Sequence, residues 1–306
     1  MTRAGETWLS ACIVALALPA HLIGLVSPSI YRDAAVMLPQ NLGTDVVTLG
    51  VGIPLLAVAT LAMRRGSLRA RLLWLGALGY LVYAYGMYAL GVRWNPLFLL
   101  YVALFGLSLF ALIIGLAGTD AARMRAGFTP RAPVWAVATY LIVIAGMVSA
   151  LWLAEEVDAL LGGTVPPSVV QFQTPTNIVH VFDLGVVLPA LVVAAVMLVR
   201  DRPWGYVLAG MLLVKAATIG LWVAVMIWFS VRAGFPSPPA YTVFFLALTV
   251  AGAVLAWRFL TELRSPAHFP PNPDTKGSTM DTAINRMMIH SSSSMRNVAA
   301  RSASLP

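Results

Sequence analysis

Charged side chains are scarce in this chain of 306 residues. They make up 10% of it, whereas soluble domains contain roughly 25%. Hydrophobic residues account for 59%, and the mean hydropathy is +0.84. This composition excludes an ordinary soluble domain and indicates a polytopic membrane protein whose main partner is the lipid bilayer.

Cysteine and the common catalytic motifs are also nearly absent. Cys12 is the only cysteine, so no intramolecular disulfide and no cysteine metal cluster can form. Phosphate-binding glycine loops, H-E-x-x-H and serine-hydrolase elbows do not occur. His21 and His180 alone fall near predicted spans, which is weak support for haem, and a retinal on Lys215 would lack a carboxylate counter-ion in the third span. We therefore expect no metal and no cofactor.

The net charge of +8 raises the question of a nucleic-acid partner. The basic residues, however, lie between apolar runs and in the C-terminal tail, where membrane topology places them. We expect no nucleic-acid partner.

Runs of about 20 apolar residues are long enough to cross a bilayer as helices, and eight such runs predict an all-α protein with eight transmembrane helices. The predicted spans are 8–28, 46–63, 70–91, 96–117, 133–154, 179–199, 204–230 and 241–261.

Arginine is distributed unequally between the connecting loops. Alternate loops are rich in it, and the loops between them carry at most one arginine each. Because cytoplasmic loops collect Lys and Arg, this pattern predicts a multi-pass protein of the bacterial inner membrane with both termini in the cytoplasm. The predicted cytoplasmic arginines of the loops are Arg64, Arg65, Arg69, Arg71, Arg123, Arg125, Arg131, Arg200 and Arg202.

An internal similarity divides the chain into two halves. The segment LGVGIPLL aligns with LGVVLPAL, so Pro54 falls on Pro189, and the basic turns RRGSLRAR and RDRPWGY follow at nearly equal distances. Two apolar hairpins with a proline and a basic turn could also look alike by composition alone. If the duplication is real, each half has four spans, and such parallel repeats face each other across a central cleft.

The repeat and the composition together predict four segments. Residues 1–117 form the first four-helix half, 118–132 a cytoplasmic connection and 133–261 the second half. Residues 262–306, rich in Pro, Ser and Asn, are predicted to form a disordered cytoplasmic tail.

Lys215 is the most unusual residue, because it lies deep in the seventh apolar run. An ionisable group at the bilayer centre costs about 2.5–3.5 kcal/mol, so it normally faces the protein interior with a partner. Asp183 on the sixth span is the candidate partner. Thr176, His180 and Asp183 share one helical face, with Asn177 beside it. We predict a ligand or proton-relay site here; the alternative is an ion pair that only fixes helix register.

The outer half of the third span carries Tyr80, Tyr83, Tyr85 and Tyr88. Tyr80 and Tyr83 are candidates for the wall of a polar cavity. The sequence favours instead an interfacial aromatic belt with hydrogen bonds between helices.

The block RRGSLRARLLWLGALGYLVYAYGMYALGVRWNPLFLLYVALFGLSLFALI resembles a family of bacterial multi-span membrane proteins of unknown function, and DLGVVLPALVVAAVMLVRDRPWGYVLAGMLLVK extends the resemblance. The resemblance implies a membrane location and transfers no catalytic residue.

Three functions remain open on these observations. The first is transport or binding of a small solute at an outward-opening polar site between helices. The second is an accessory or scaffold role beside another membrane protein, with a purely structural ion pair. The third is a membrane enzyme that uses His180 and the predicted external carboxylates Glu155, Glu156 and Asp158; we lean away from an enzyme.

Overall fold

The structure is a computed structural model that describes residues 3–264. Most of the predicted tail therefore lies outside the described residues. Within 3–264 every regular element is helical, apart from one isolated antiparallel bridge between Phe128 and Leu263.

Eight of the helices are long and apolar enough to cross a membrane, which confirms the predicted all-α architecture and the number of spans. The elements are α1 (Arg3–Val26), α2 (Leu38–Arg64), α3 (Leu68–Gly91), α4 (Phe98–Ala117), the short α5 (Ala121–Gly127), α6 (Val134–Gly162), the short α7 (Pro167–Phe172), α8 (Ile178–Val199), α9 (Pro203–Arg232) and α10 (Pro239–Thr261).

Helix α2 begins at Leu38, eight residues before the predicted start of the second span. The sequence prediction was wrong here because LPQNLGTD is polar and reads as a loop. Its polar residues Asn41, Thr44 and Asp45 are buried among neighbouring helices, so they join the span without facing lipid.

Helices α2 and α8 each contain one π-helical turn, Thr48–Gly52 and Asp183–Val187. Each turn is followed two residues later by a proline, Pro54 or Pro189. Proline has no N–H to donate to the carbonyl four residues back, and the chain widens locally before it. In each turn the next residue donates its N–H to the carbonyl five residues earlier.

Helices α3 and α9 lie at the centre and pack against each other. A Cβ added at Gly76 would come within 2.4 Å of the Val214 Cβ, so glycine is what permits this close approach. Helix α9 also packs against α2, α8 and α10. The first four long helices therefore meet the last four mainly along α9, which contacts both α2 and α3.

The helix ends near the arginine-rich loops are tied together by ion pairs, and we call this the basic end. Arg71 donates to Glu6 at 2.7 Å, and Arg125 donates two hydrogen bonds to Asp201, at 2.6 and 2.9 Å. These bonds from Arg125 lower the pKa of the Asp201 carboxyl. The loops at the other end of the helices, which we call the opposite end, include 27–37 and 163–177.

Candidate functional site

A cavity of about 550 Å³ lies toward the opposite end, between α2, α3, α6, α8, α9 and α10. Its wall is mostly apolar. Among the described residues that line it, Asp183 is the single carboxylate and Lys215 the single cation. An apolar cavity of this size with a few convergent polar groups is typical of a small-molecule site.

Lys215 extends from the middle of α9 and is 7% exposed. Its Nζ lies 4.5 Å from the centre of the Tyr83 ring, an attractive cation–π arrangement. With the described residues it forms no hydrogen bond and no ion pair within 4.0 Å. The predicted direct pairing with Asp183 is therefore absent, although both groups line the same cavity.

Asp183 is the first residue of the π-helical turn in α8 and is 9% exposed. Its carboxylate accepts a hydrogen bond from Trp152 Nε1 of α6 at 2.9 Å. Of these two residues, Trp152 and not Lys215 bonds directly to Asp183. Trp152 was not predicted as a site residue, because a tryptophan near a span end resembles an interfacial anchor.

His180 lies one turn before Asp183, and α6 holds it in place. Its Nδ1 is 2.6 Å from Glu156, and its Nε2 is 3.1 Å from the Asn177 amide nitrogen. These contacts fit an Nδ1–H donor and an Nε2 acceptor. Trp152 stacks on the imidazole at 4.3 Å between ring centres. A row of polar groups therefore runs from Glu156, which is 35% exposed, to Asp183.

The remaining predicted residues are divided between the cavity and the core. Thr176 and Asn177 line the cavity, but they precede α8, so the predicted continuous helical stripe is wrong. Tyr83 also lines it. Tyr80 does not, because its hydroxyl lies 2.7 Å from Thr48 Oγ1 in the core.

The four tyrosines of α3 do not form the interfacial belt that the sequence favoured. Tyr80, Tyr83, Tyr85 and Tyr88 are all at least 95% buried. The expected hydrogen bonds between helices do occur, since Tyr85 contacts His21 of α1 and Tyr88 contacts Asp45 of α2.

A second acid–histidine pair, missed by the sequence analysis, lies in the first half. His21 Nδ1 is 2.7 Å from Asp45 Oδ1, and both residues are almost fully buried. Asp45 also accepts hydrogen bonds from Tyr31 at 2.7 Å and Tyr88 at 2.8 Å. The spacing of Asn41, Asp45 and Thr48 was the available signal, because these polar residues share one helical face.

One π-helical turn and one acid–histidine contact on each side of the chain lie at matching sequence positions. The π-helical turns begin 135 residues apart, at Thr48 and Asp183. The acid–histidine pairs have the same offset, with acid and histidine exchanged. The positions related by 135 residues are His21 and Glu156, Asp45 and His180, Thr48 and Asp183, and Tyr80 and Lys215.

The predicted enzymatic carboxylates do not surround the cavity. Glu155 accepts a hydrogen bond from the Ser168 N–H at 2.8 Å, Glu156 holds His180, and Asp158 is exposed. None of the three lines the cavity. Within residues 3–264, no group of three or more His, Cys, Asp or Glu side chains is arranged to hold a metal ion.

Comparison of the chain with protein-family models, with curated proteins and with solved structures yields no match.

Proposed function

We propose that this protein binds a small solute in the cavity and carries it across the membrane. The observation that carries the proposal concerns Lys215, which lines an apolar cavity. Its ammonium group has no hydrogen-bond acceptor among the described residues. A cation in low dielectric is costly unless it has a partner. A bound solute would supply the missing partner.

A purely structural role for Lys215 is less well supported. A lysine retained to fix helix register would be expected to form a direct ion pair with the nearby carboxylate, and Lys215 and Asp183 form none within 4.0 Å. The enzyme alternative is also weaker, because Glu155, Glu156 and Asp158 lie off the cavity wall.

The orientation is part of the proposal. With arginine concentrated at the basic end, the positive-inside rule puts that end and both termini in the cytoplasm of a bacterial cell. The cavity then lies toward the external side of the inner membrane, where a solute can enter from outside.

The internal duplication also stays a proposal. The π-helical turns and the acid–histidine contacts at an offset of 135 residues support it, because apolar composition alone would not reproduce them. On this interpretation the first half has sealed its polar pair with tyrosines, and the second half has kept an accessible site.

The test compares Lys215→Met with the matched control Thr218→Val. Thr218 is buried on the same helix, does not line the cavity, and bonds only to the carbonyl of Val214 within its own helix. The purified proteins, in lipid nanodiscs, are screened against anionic, neutral and cationic solutes by the shift in melting temperature.

We expect solutes that stabilise the wild type and Thr218→Val but not Lys215→Met. The same solutes, loaded outside proteoliposomes that contain the wild type, should accumulate inside. The proposal fails if no solute class stabilises the wild type, or if Lys215→Met responds as the wild type does.

A further inference from the structure

We infer that the solute is an amphipathic monoanion, and that one proton binds Asp183 when the anion enters the cavity. This inference rests on the proposed function and adds to it the substrate class and a coupling ion.

The polar group of the cavity that lacks a hydrogen-bond partner is a cation, the Lys215 ammonium. Asp183 already accepts a hydrogen bond from Trp152 at 2.9 Å, whereas Lys215 has no acceptor among the described residues. A carboxylate or another singly charged head group can receive charge-assisted hydrogen bonds from Lys215. A cationic solute could use the remaining acceptor sites of the Asp183 carboxylate, but it would lie beside the Lys215 charge, which repels it.

The wall toward α6 and α10 calls for an apolar body. Apart from Trp152 and Tyr241, this part of the wall is formed by apolar side chains such as Val148, Leu151, Phe245 and Leu248. These side chains offer no hydrogen bonds to a compact hydrophilic ion, whereas a hydrocarbon or aromatic body bound against them is removed from water.

Charge balance supplies the argument for the proton. In the empty cavity the charges of Lys215 and Asp183 add up to zero, although the two groups form no direct ion pair. A bound monoanion leaves one negative charge without compensation in a medium of low dielectric, which is unfavourable. A proton on Asp183 restores neutrality. An O–H bond forms on the Asp183 carboxylate, and the bound anion pairs with the Lys215 ammonium. A dianion would leave a residual charge even then.

A route for that proton is present in the second half. Glu156 reaches solvent and contacts His180, whose ring stacks on Trp152 beside Asp183. Glu156 and His180 can therefore carry a proton from solvent to the neighbourhood of Asp183. The last step crosses the gap between His180 and Asp183, which no hydrogen bond among the described residues bridges. The titratable groups that face Asp183 or its cavity are Lys215 of α9, Tyr83 and Tyr88 of α3, Tyr241 of α10, His180 of α8, and, through His180, Glu155 and Glu156 of α6.

The experiment uses three probes with one apolar body: 4-phenylbutyrate, 4-phenylbutanol and 4-phenylbutylammonium. Their affinities are measured by titration calorimetry on the full chain in nanodiscs. We expect the anion to bind the wild type about tenfold or more tightly than the alcohol, since a charge-assisted hydrogen bond contributes this much. Lys215→Met should lose the preference, and Lys215→Arg should keep it.

Proton uptake is measured by repeating the titration in buffers of different ionisation enthalpy. The wild type should take up about one proton per anion, so that affinity rises about tenfold for each unit fall in pH while Asp183 is ionised in the empty protein. Asp183→Asn should bind the anion with no proton uptake. The wild-type proton count alone remains decisive if this variant does not fold.

The outcomes separate the inference from the proposed function. If the solute screen yields only neutral or cationic ligands, or if the alcohol binds as tightly as the anion, the substrate class is wrong and the proposed function stands. Anion binding without proton uptake overturns the coupling. If no solute binds at all, both fall.

Discussion

Replacement of Asp45 by asparagine tests whether the sealed acid–histidine cluster of the first half depends on its carboxylate. Asp45 is 0% exposed and is contacted by His21 at 2.7 Å, by Tyr31 at 2.7 Å and by Tyr88 at 2.8 Å. Asparagine has nearly the same shape but keeps one acceptor oxygen. Its amide nitrogen can only donate, so a group that now donates to this position must reorient or lose its partner, and the others lose a charged acceptor.

The size of the effect follows from these contacts. A hydrogen bond to a charged group contributes about 1.5–3 kcal/mol, against about 0.5–1.5 kcal/mol between neutral groups, and Asp45 takes part in three such bonds. We expect Asp45→Asn to lower the free energy of unfolding by about 3–5 kcal/mol, a large part of a total that is usually about 5–15 kcal/mol.

The second half provides a matched control. Glu156 contacts His180 at 2.6 Å, almost the same distance, but its side chain is 35% exposed. Because water can replace the lost partner there, Glu156→Gln should cost about 1 kcal/mol or less. Unfolding of both variants is followed by tryptophan fluorescence as the SDS mole fraction in mixed micelles increases. Equal losses for the two variants, or a loss below about 1 kcal/mol for Asp45→Asn, would refute the argument from burial.

Two further predictions concern the ends of the bundle. In a Cys12→Ser background, an impermeant thiol reagent should label Val165→Cys but not Ala122→Cys in intact cells, because the proposed orientation puts the exposed Val165 outside and the exposed Ala122 inside; labelling of Ala122→Cys alone would reverse the topology. Since Arg125 lowers the pKa of Asp201, their pair stabilises the fold above the ordinary range of an aspartate, and this contribution is lost as the pH falls through the lowered pKa. Asp201→Asn should therefore reduce the free energy of unfolding by about 1 kcal/mol or less at neutral pH, and the difference from the wild type should vanish in acid; a difference that persists at about pH 2 would contradict the ion pair.

Spans were predicted correctly where apolar residues face away from the bundle and polar residues do not interrupt the apolar run. Helix α4 spans Phe98–Ala117 and the predicted span is 96–117, because an apolar run facing lipid needs no tertiary information. The start of α2 at Leu38 was missed because its polar residues face other helices, and hydropathy cannot distinguish a polar loop from a polar helix face buried in a bundle.

The sequence predicted which charged residues belong to the candidate site, but it did not predict which groups bond to each other. Lys215 and Asp183 were found from sequence because isolated charges inside apolar runs are rare. The two residues form no ion pair within 4.0 Å, and the Asp183 carboxylate instead accepts a hydrogen bond from Trp152 of α6. This is a contact between helices that no local pattern indicates.

The sequence by itself determined that this protein is suited to a lipid bilayer, how many spans it has and where its isolated charges lie. Each of these depends on local composition compared with the thickness of a bilayer. Only the tertiary structure decided which polar groups meet. It sealed His21 and Asp45 among tyrosines and left Lys215 facing a cavity, because these outcomes depend on distances of a few ångströms between helices far apart in the chain.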